Sequence, residues 1–208
     1  MSESESETRP VVVNPSDGWA SADTGRFYGE WLKFTEGKWF TGEEQKPVPE
    51  GLNLIVTGVS VEWKCWGKKG EGVIDRKDAS FRREDLGRHD ETQWEISFGK
   101  PRDPWALTWR ADLIDPTTLD EFRYEASNAG GTACIEELVV RVNKARTLDP
   151  RARPIVILSN KVMRTDYGQR LRPCLKVVGW QPPIKGGGNQ GAPSLPSPSN
   201  DMSDEIPF

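Results

Sequence analysis

The sequence predicts a mainly β protein with one helix, an OB-fold-like antiparallel barrel carrying extra N-terminal strands and a loop insertion. Three observations predict it. Segments rich in aromatic and β-branched residues alternate in polarity with period two from Phe27 onward. A single stretch, after Asn128, switches to the helical period. The order is several strands, one helix and a closing hairpin, which matches that barrel's succession of three strands, helix and two strands. A plain α+β sandwich is the alternative, and no internal repeat is visible.

The elements follow in order. Residues 1–24 hold Ser/Glu repeats and the breaker run Asn14-Pro15-Ser16-Asp17-Gly18, and are expected to be a disordered acidic segment. Phe27 to Phe34 is aromatic and partly alternating, hence a strand; Glu36-Gly37-Lys38 turns the chain and Trp39-Phe40 pairs back. Pro47 to Gly51 is a loop. Leu52 to Trp66 carries the strongest strand signal. Leu52, Leu54 and Val56 share one face, and Val59, Val61, Trp63 and Cys65 continue the alternation out of phase after Gly58. That phase shift predicts a β-bulge or barrel bend. Lys68 to Gly72 is a turn, and Val73 to Gly99 is charged and poorly periodic, an excursion centred on Phe81 to His89.

Pro101 to Pro104 lead into a strand from Trp105 to Leu113. Asp115-Pro116-Thr117 turns it, and Leu119 to Ser127 returns as another. Asn128-Ala129-Gly130-Gly131 opens the helix, whose stripe is Ile135, Leu138, Val139 and Val142. Glu136 and Glu137 precede Arg141, Lys144 and Arg146, the order that suits the helix dipole, and Pro150 ends it. Ile155 to Met163 and Leu171 to Trp180 form a hairpin about Asp166-Tyr167-Gly168, and Pro182-Pro183 closes the domain. The expected organisation is a body at 25–183, a flexible Gly/Pro/Ser linker at 184–200 and an acidic tip at 201–208.

Composition narrows the class. The 208 residues are 35% apolar with a mean hydropathy of −0.65, enough for one substantial core between polar tails. No apolar run reaches the ~18 residues of a membrane span. The acidic start MSESESETRP is not a secretory signal. Cys65, Cys134 and Cys174 are odd in number and far apart, against a disulfide framework or a zinc site and in keeping with a reducing cytoplasm. The net charge of −4 conceals an asymmetry: residues 141–185 carry 11 bases against Asp149 and Asp166. A basic third between acidic ends suggests a polyanion surface on the body and tails that repel the same ligand; a solvated charged face is the alternative.

The sharpest motif is Asp204-Glu205-Ile206-Pro207-Phe208, set beyond the tether GGGNQGAPSLPSPSN of Gly186 to Asn200. Apolar Ile and Phe on a solvated acidic tether suit capture: the ring fills an apolar pocket, the acids and carboxylate meet a basic rim, and Pro207 lowers the ordering cost. This tip resembles that of bacterial single-stranded DNA-binding proteins, and the linker is similar in composition. The resemblance covers about the last tenth of the chain; the body lacks the usual family pattern. It implies an OB-fold core, single-stranded DNA as ligand and recruitment of replication, recombination and repair proteins by residues 204–208. The chain is then a divergent relative, from a phage or mobile element, or a convergent protein bearing the same tip.

The body's residues agree with that ligand. Single-strand binders need cations along the backbone path and flat rings for the bases. With nine Trp, this chain interleaves the two. The candidate nucleic-acid residues are Trp31, Lys33, Phe34, Lys38 and Trp39; Trp63, Lys64 and Trp66, beside Lys68 and Lys69; Trp105, Trp109 and Arg110; and Arg164, Tyr167, Arg170 and Arg172. Trp63 and Trp66 cannot both face the core of a regular strand, so one is expected at the surface. For any single Trp, core packing is the better expectation.

Catalysis has little support. Asp103, Asp112, Asp115 and Asp120 match no metal-ligand spacing, and three flank turns. His89 sits alone in a charged loop. Gly130-Gly131 lacks the Lys-Ser/Thr of a nucleotide loop and reads as a tight strand-to-helix turn rather than a phosphate cradle. The expectation is a non-enzymatic, cytoplasmic protein without cofactor or metal, with homo-oligomer formation open. The alternatives are a tip-bearing adaptor or decoy without DNA binding, and a strand-annealing recombination protein. If the acidic tip competes with DNA for the basic surface, deletion of residues 201–208 raises single-strand affinity at low salt, measurable by titration; unchanged affinity argues against competition.

Overall fold

The computed structural model describes residues 27–97, 99–165 and 168–181. The 1–24 segment, the linker, the tip and Tyr167 lie outside these residues. The body is mostly strand: β1 Glu30–Thr35, β2 Lys38–Thr41, β3 Lys46–Pro47, β4 Asn53–Trp66, β5 Val73–Asp78, β6 Glu95–Ser97, β7 Lys100–Arg102, β8 Trp105–Ile114 and β9 Glu121–Ala126, then helix α1 Ala129–Arg146, β10 Arg153–Thr165 and β11 Gly168–Gln181. Eight strands follow one another in the order β11-β10-β4-β8-β9-β1-β2-β3; β5 adds to the far end of β4, and β6–β7 is a separate hairpin.

The pairing departs from a wholly antiparallel sheet at one place: β1 runs parallel to β9. The chain passes through β4, β5 and β8 between the two, so no tight turn constrains their direction. The β1–β2 turn is a two-residue loop with both central residues at positive φ, Glu36 at 52° and Gly37 at 82°, the hand that matches strand twist. A Cβ on Gly37 would press into Leu171 of β11. The Trp39 indole Nε1 donates to the Ser159 carbonyl at 2.7 Å, and Asn160 Nδ2 donates to the Gly37 carbonyl at 2.9 Å. These contacts join β2 to β10, near opposite ends of the strand path, and curl the sheet into an open half-barrel.

α1 plugs the concave side. Ile135, Leu138, Val139 and Val142, the expected stripe, are buried against Leu54, Val56 and Val59 of β4, Trp109, Ala111 and Leu113 of β8, and Phe122 and Tyr124 of β9. The phase shift in β4 is a bulge: register against β8 slips between Val56 and Gly58, which lets Val56 and Val59 both point inward. The helix's first turn holds no acid, so Glu136 and Glu137 do not serve its dipole as expected; the Asn128 side chain caps it by accepting from Gly131 N–H at 2.8 Å. A Cβ on Gly131 would collide with Ala126 and the Tyr124 hydroxyl. The glycine step therefore permits a close strand-to-helix turn.

Val73 to Gly99 is more ordered than its composition suggests. β5 pairs with β4 from Glu62 to Trp66 but is exposed along almost its whole length, so its sequence VIDRKD carries no apolar alternation. The excursion is anchored by Arg83, which donates from Nε and Nη2 to the Asp103 carboxylate at 2.6 and 2.8 Å, and by Leu86, buried with Cys65 and Trp105.

Candidate nucleic-acid interface

Strand alternation builds the outer face. In β9, EFRYEA turns Phe122, Tyr124 and Ala126 to the core and leaves Arg123 and Glu125 outside. Register then sets Trp31 beside Arg123, Arg110 beside Glu125 and Asp112 beside Arg123. Across β4 the same face carries Glu62, Lys64 and Trp66.

Its centre is a ladder of ion pairs. Lys64 Nζ lies 2.6 Å from Glu125 and 3.4 Å from Glu62, Arg76 is 2.6 Å from Glu62, Arg123 is 2.7 Å from Asp112, and Arg110 is 3.4 Å from Asp112. The Arg123 guanidinium also lies over two rings, 4.2 Å from the Phe27 centroid and 5.8 Å from that of Trp31. Three carboxylates offset three of the four cations, so the ladder is a preformed polar floor with one net positive charge.

Two rings rise from that floor. Trp31 is 42% exposed and Trp66 41%, and both line an open groove of about 260 Å³ with Lys33, Thr108, Glu125 and Ser127. A second, larger groove of about 960 Å³ runs between the end of β1, the start of α1 and the β10–β11 hairpin; Phe34, Asn128, Gly130, Met163, Arg170 and Arg172 line it. Ser127 belongs to the first groove and Asn128 to the second, so the two meet at the β9–α1 junction.

The candidates from sequence divide accordingly. Trp31, Lys33 and Trp66 come together in the small groove, and Phe34, Arg170 and Arg172 in the large one. Arg164 is exposed on β10 and Lys38 on β2, outside both linings. Trp63 is half-buried and donates from Nε1 to the Phe81 carbonyl at 3.0 Å, so of the Trp63/Trp66 pair it is Trp66 that stands out.

Several candidates are corrected. Trp39, Trp105 and Trp109 are buried: Trp39 packs edge-on to Phe34 and Tyr124, Trp105 joins Cys65 and Leu86, and Trp109 is central to the main core. Their rings have no free face for a base. Lys64 and Arg110 are buried within the ion-pair ladder, and Arg172 is buried against Glu137, so none is a freely presented cation. Tyr167 and Asp204, Glu205, Ile206, Pro207 and Phe208 lie outside the described residues.

Arg123 and Glu125 were missed, although the alternation of Glu121–Ala126 already places both on the face away from Phe122 and Tyr124. The four aspartates have structural work. Asp103 and Asp112 pair with arginines, Asp115 accepts from Thr117 N–H at 2.7 Å, and Asp120 accepts from the Thr118 hydroxyl at 2.7 Å. Among the described residues no three His, Cys, Asp or Glu are placed to hold a metal, and no helix is long and apolar enough to cross a membrane.

Glu137 ties the large groove together. It accepts from Arg172 Nη2 at 2.5 Å and from Lys161 Nζ at 3.1 Å, joining α1 to both strands of the hairpin. Burial pushes the Glu137 carboxyl up, but the hydrogen bonds from Lys161 and Arg172 outweigh it and hold the carboxyl below its ordinary range. A depressed folded-state value means the contribution is complete above the unfolded carboxyl range and is lost as pH falls through the folded value. Wild type should therefore lose stability on acidification in that window, and Glu137→Gln should show a smaller loss in denaturation curves taken across it. Equal slopes would remove Glu137 from the account.

Comparison of the chain with protein-family models, with curated proteins and with solved structures finds no match.

Proposed function

We propose that the body binds single-stranded DNA, over the outer face of β8 and β9 and into the groove beside α1, and that residues 201–208 recruit DNA-processing proteins. The observation that carries this is the pair of half-exposed rings, Trp31 and Trp66, lining one groove with Lys33, next to a larger groove holding Phe34 and Arg170. Rings that accept a base face and cations that meet phosphate are what a sequence-tolerant single-strand surface requires.

The topology supports an OB-like reading. The succession β4, β8, β9, α1, β10, β11 is three strands, a helix and two strands, with the first pairing the fourth through Ile55 and Ile155. β1 to β3 extend the sheet past β9 and carry Trp31 and Lys33 to the rim of the face. The linker is similar in composition to the tether of the single-stranded DNA-binding proteins, which suits a recruiting role for residues 201–208.

Fluorescence anisotropy with labelled single- and double-stranded oligonucleotides of one sequence tests the proposal. The expected result is a clear preference for the single strand, with affinity falling on a log–log salt plot by about 0.7 per phosphate neutralised. Equal or absent binding of the two in dilute buffer would overturn it and leave the adaptor reading.

A further inference from the structure

We infer that the groove between Trp31 and Trp66 reads the base it holds, preferring guanine and cytosine to thymine, with Glu125 as the discriminating residue. This rests on the single-strand proposal and sharpens it. The groove's volume, about 260 Å³, suits a single base rather than a stack of several, and its two Trp supply ring faces for stacking. What distinguishes it from a plain stacking platform is the chemistry of its polar lining.

That lining offers acceptors at Glu125 and Thr108, beside a Ser127 hydroxyl that can give or take a hydrogen bond. Glu125, once ionised, can only accept. Its Oε2 is fixed by Lys64 Nζ at 2.6 Å, and Lys64 is itself only 2% exposed, so the carboxylate is held in place rather than swinging in solvent. The Thr108 hydroxyl spends its proton on the Ala106 carbonyl at 3.2 Å, which leaves lone pairs as what it offers a ligand. Lys33, the cation lining this groove, is exposed and placed for a phosphate.

An acceptor lining sorts bases by the donors on their edges. Guanine offers N1–H and the N2 amino group side by side, a match to one carboxylate; cytosine offers its N4 amino group. Thymine sets a carbonyl oxygen on each side of its single N–H, so a carboxylate approaching that edge meets repulsion. Glutamate in place of glutamine or asparagine therefore makes the slot selective, because an amide could turn either end to the base.

The test uses tryptophan quenching of the full chain by oligo-dT and by the same oligomer with isolated dG or dC substitutions, in wild type and in Glu125→Gln. Wild type should bind the dG- and dC-substituted strands at least about fivefold more tightly than oligo-dT, the lower end of what one well-made base contact supplies. Glu125→Gln should flatten that ratio. Equal wild-type affinity for all three overturns the inference while leaving single-strand binding intact. Failure of all three to bind overturns both. A preference that survives in a folded Glu125→Gln variant removes Glu125 from the role. The wild-type ranking alone decides the matter if the variant does not fold.

Discussion

Trp31→Ala and Trp66→Ala should each weaken the proposed single-strand binding by about 1–3 kcal/mol, close to fivefold at the low end and more than a hundredfold at the high end. Both rings are half-exposed and both line the same groove, so each stands to lose a stacking surface rather than a core contact. The double variant should lose less than the sum, because both rings line one groove and their losses are coupled. Unfolding midpoints should move little, with Trp31 the more sensitive because its edge packs on Phe27 with ring centroids 5.7 Å apart. Oligo-dT titration beside thermal unfolding separates the two effects. Undiminished binding in both single variants would mean that DNA travels elsewhere.

Trp109→Ala is expected to do the opposite, destabilising the fold by about 3–5 kcal/mol. The ring is 2% exposed and lies on the inner face of β8, in one core with Val59, Ala126 and the α1 stripe. That loss is a large share of the ~5–15 kcal/mol that holds a typical domain together. Chemical denaturation should show a lowered midpoint with the slope retained. Whatever folded protein remains should bind single strands with near wild-type affinity, since the ring lines neither of the two grooves described. The contrast between Trp109 and the Trp31/Trp66 pair is sharp because the three side chains are chemically identical and differ only in where the sheet puts them.

That placement explains what was legible in the sequence. Strong alternation revealed β4, β8 and β9, and the i, i+3, i+4, i+7 stripe revealed α1. Gly58 betrayed the bulge because the apolar phase changes there. β5 was missed because its side chains stay in solvent, so packing imposes no pattern on them. The parallel β1–β9 pair and the curl joining β2 to β10 depend on contacts about 90 and 120 residues apart, which local periodicity does not encode.

At the site, the residue types were legible but not their sorting. Trp39 and Trp109 fell to the core through strand parity, which requires knowing the register. Lys64 and Arg110 lie on the outward parity yet are buried, because Glu125 of β9 holds Lys64 flat and Asp112, two residues along β8, holds Arg110. Trp31, Lys33 and Trp66 stay available because they stand on the two rims of the ladder, on β1 and at the end of β4.

Photo-crosslinking of an iodouracil-substituted single strand to the full chain, followed by peptide mapping, tests the central claim most directly. The account predicts adducts at Trp31 and Trp66, with further adducts in the neighbouring groove at Phe34, and competition by unlabelled single strand but not by duplex. Adducts confined to the β6–β7 hairpin or to the outer strand edge of β11, or no adducts in dilute buffer, would contradict it.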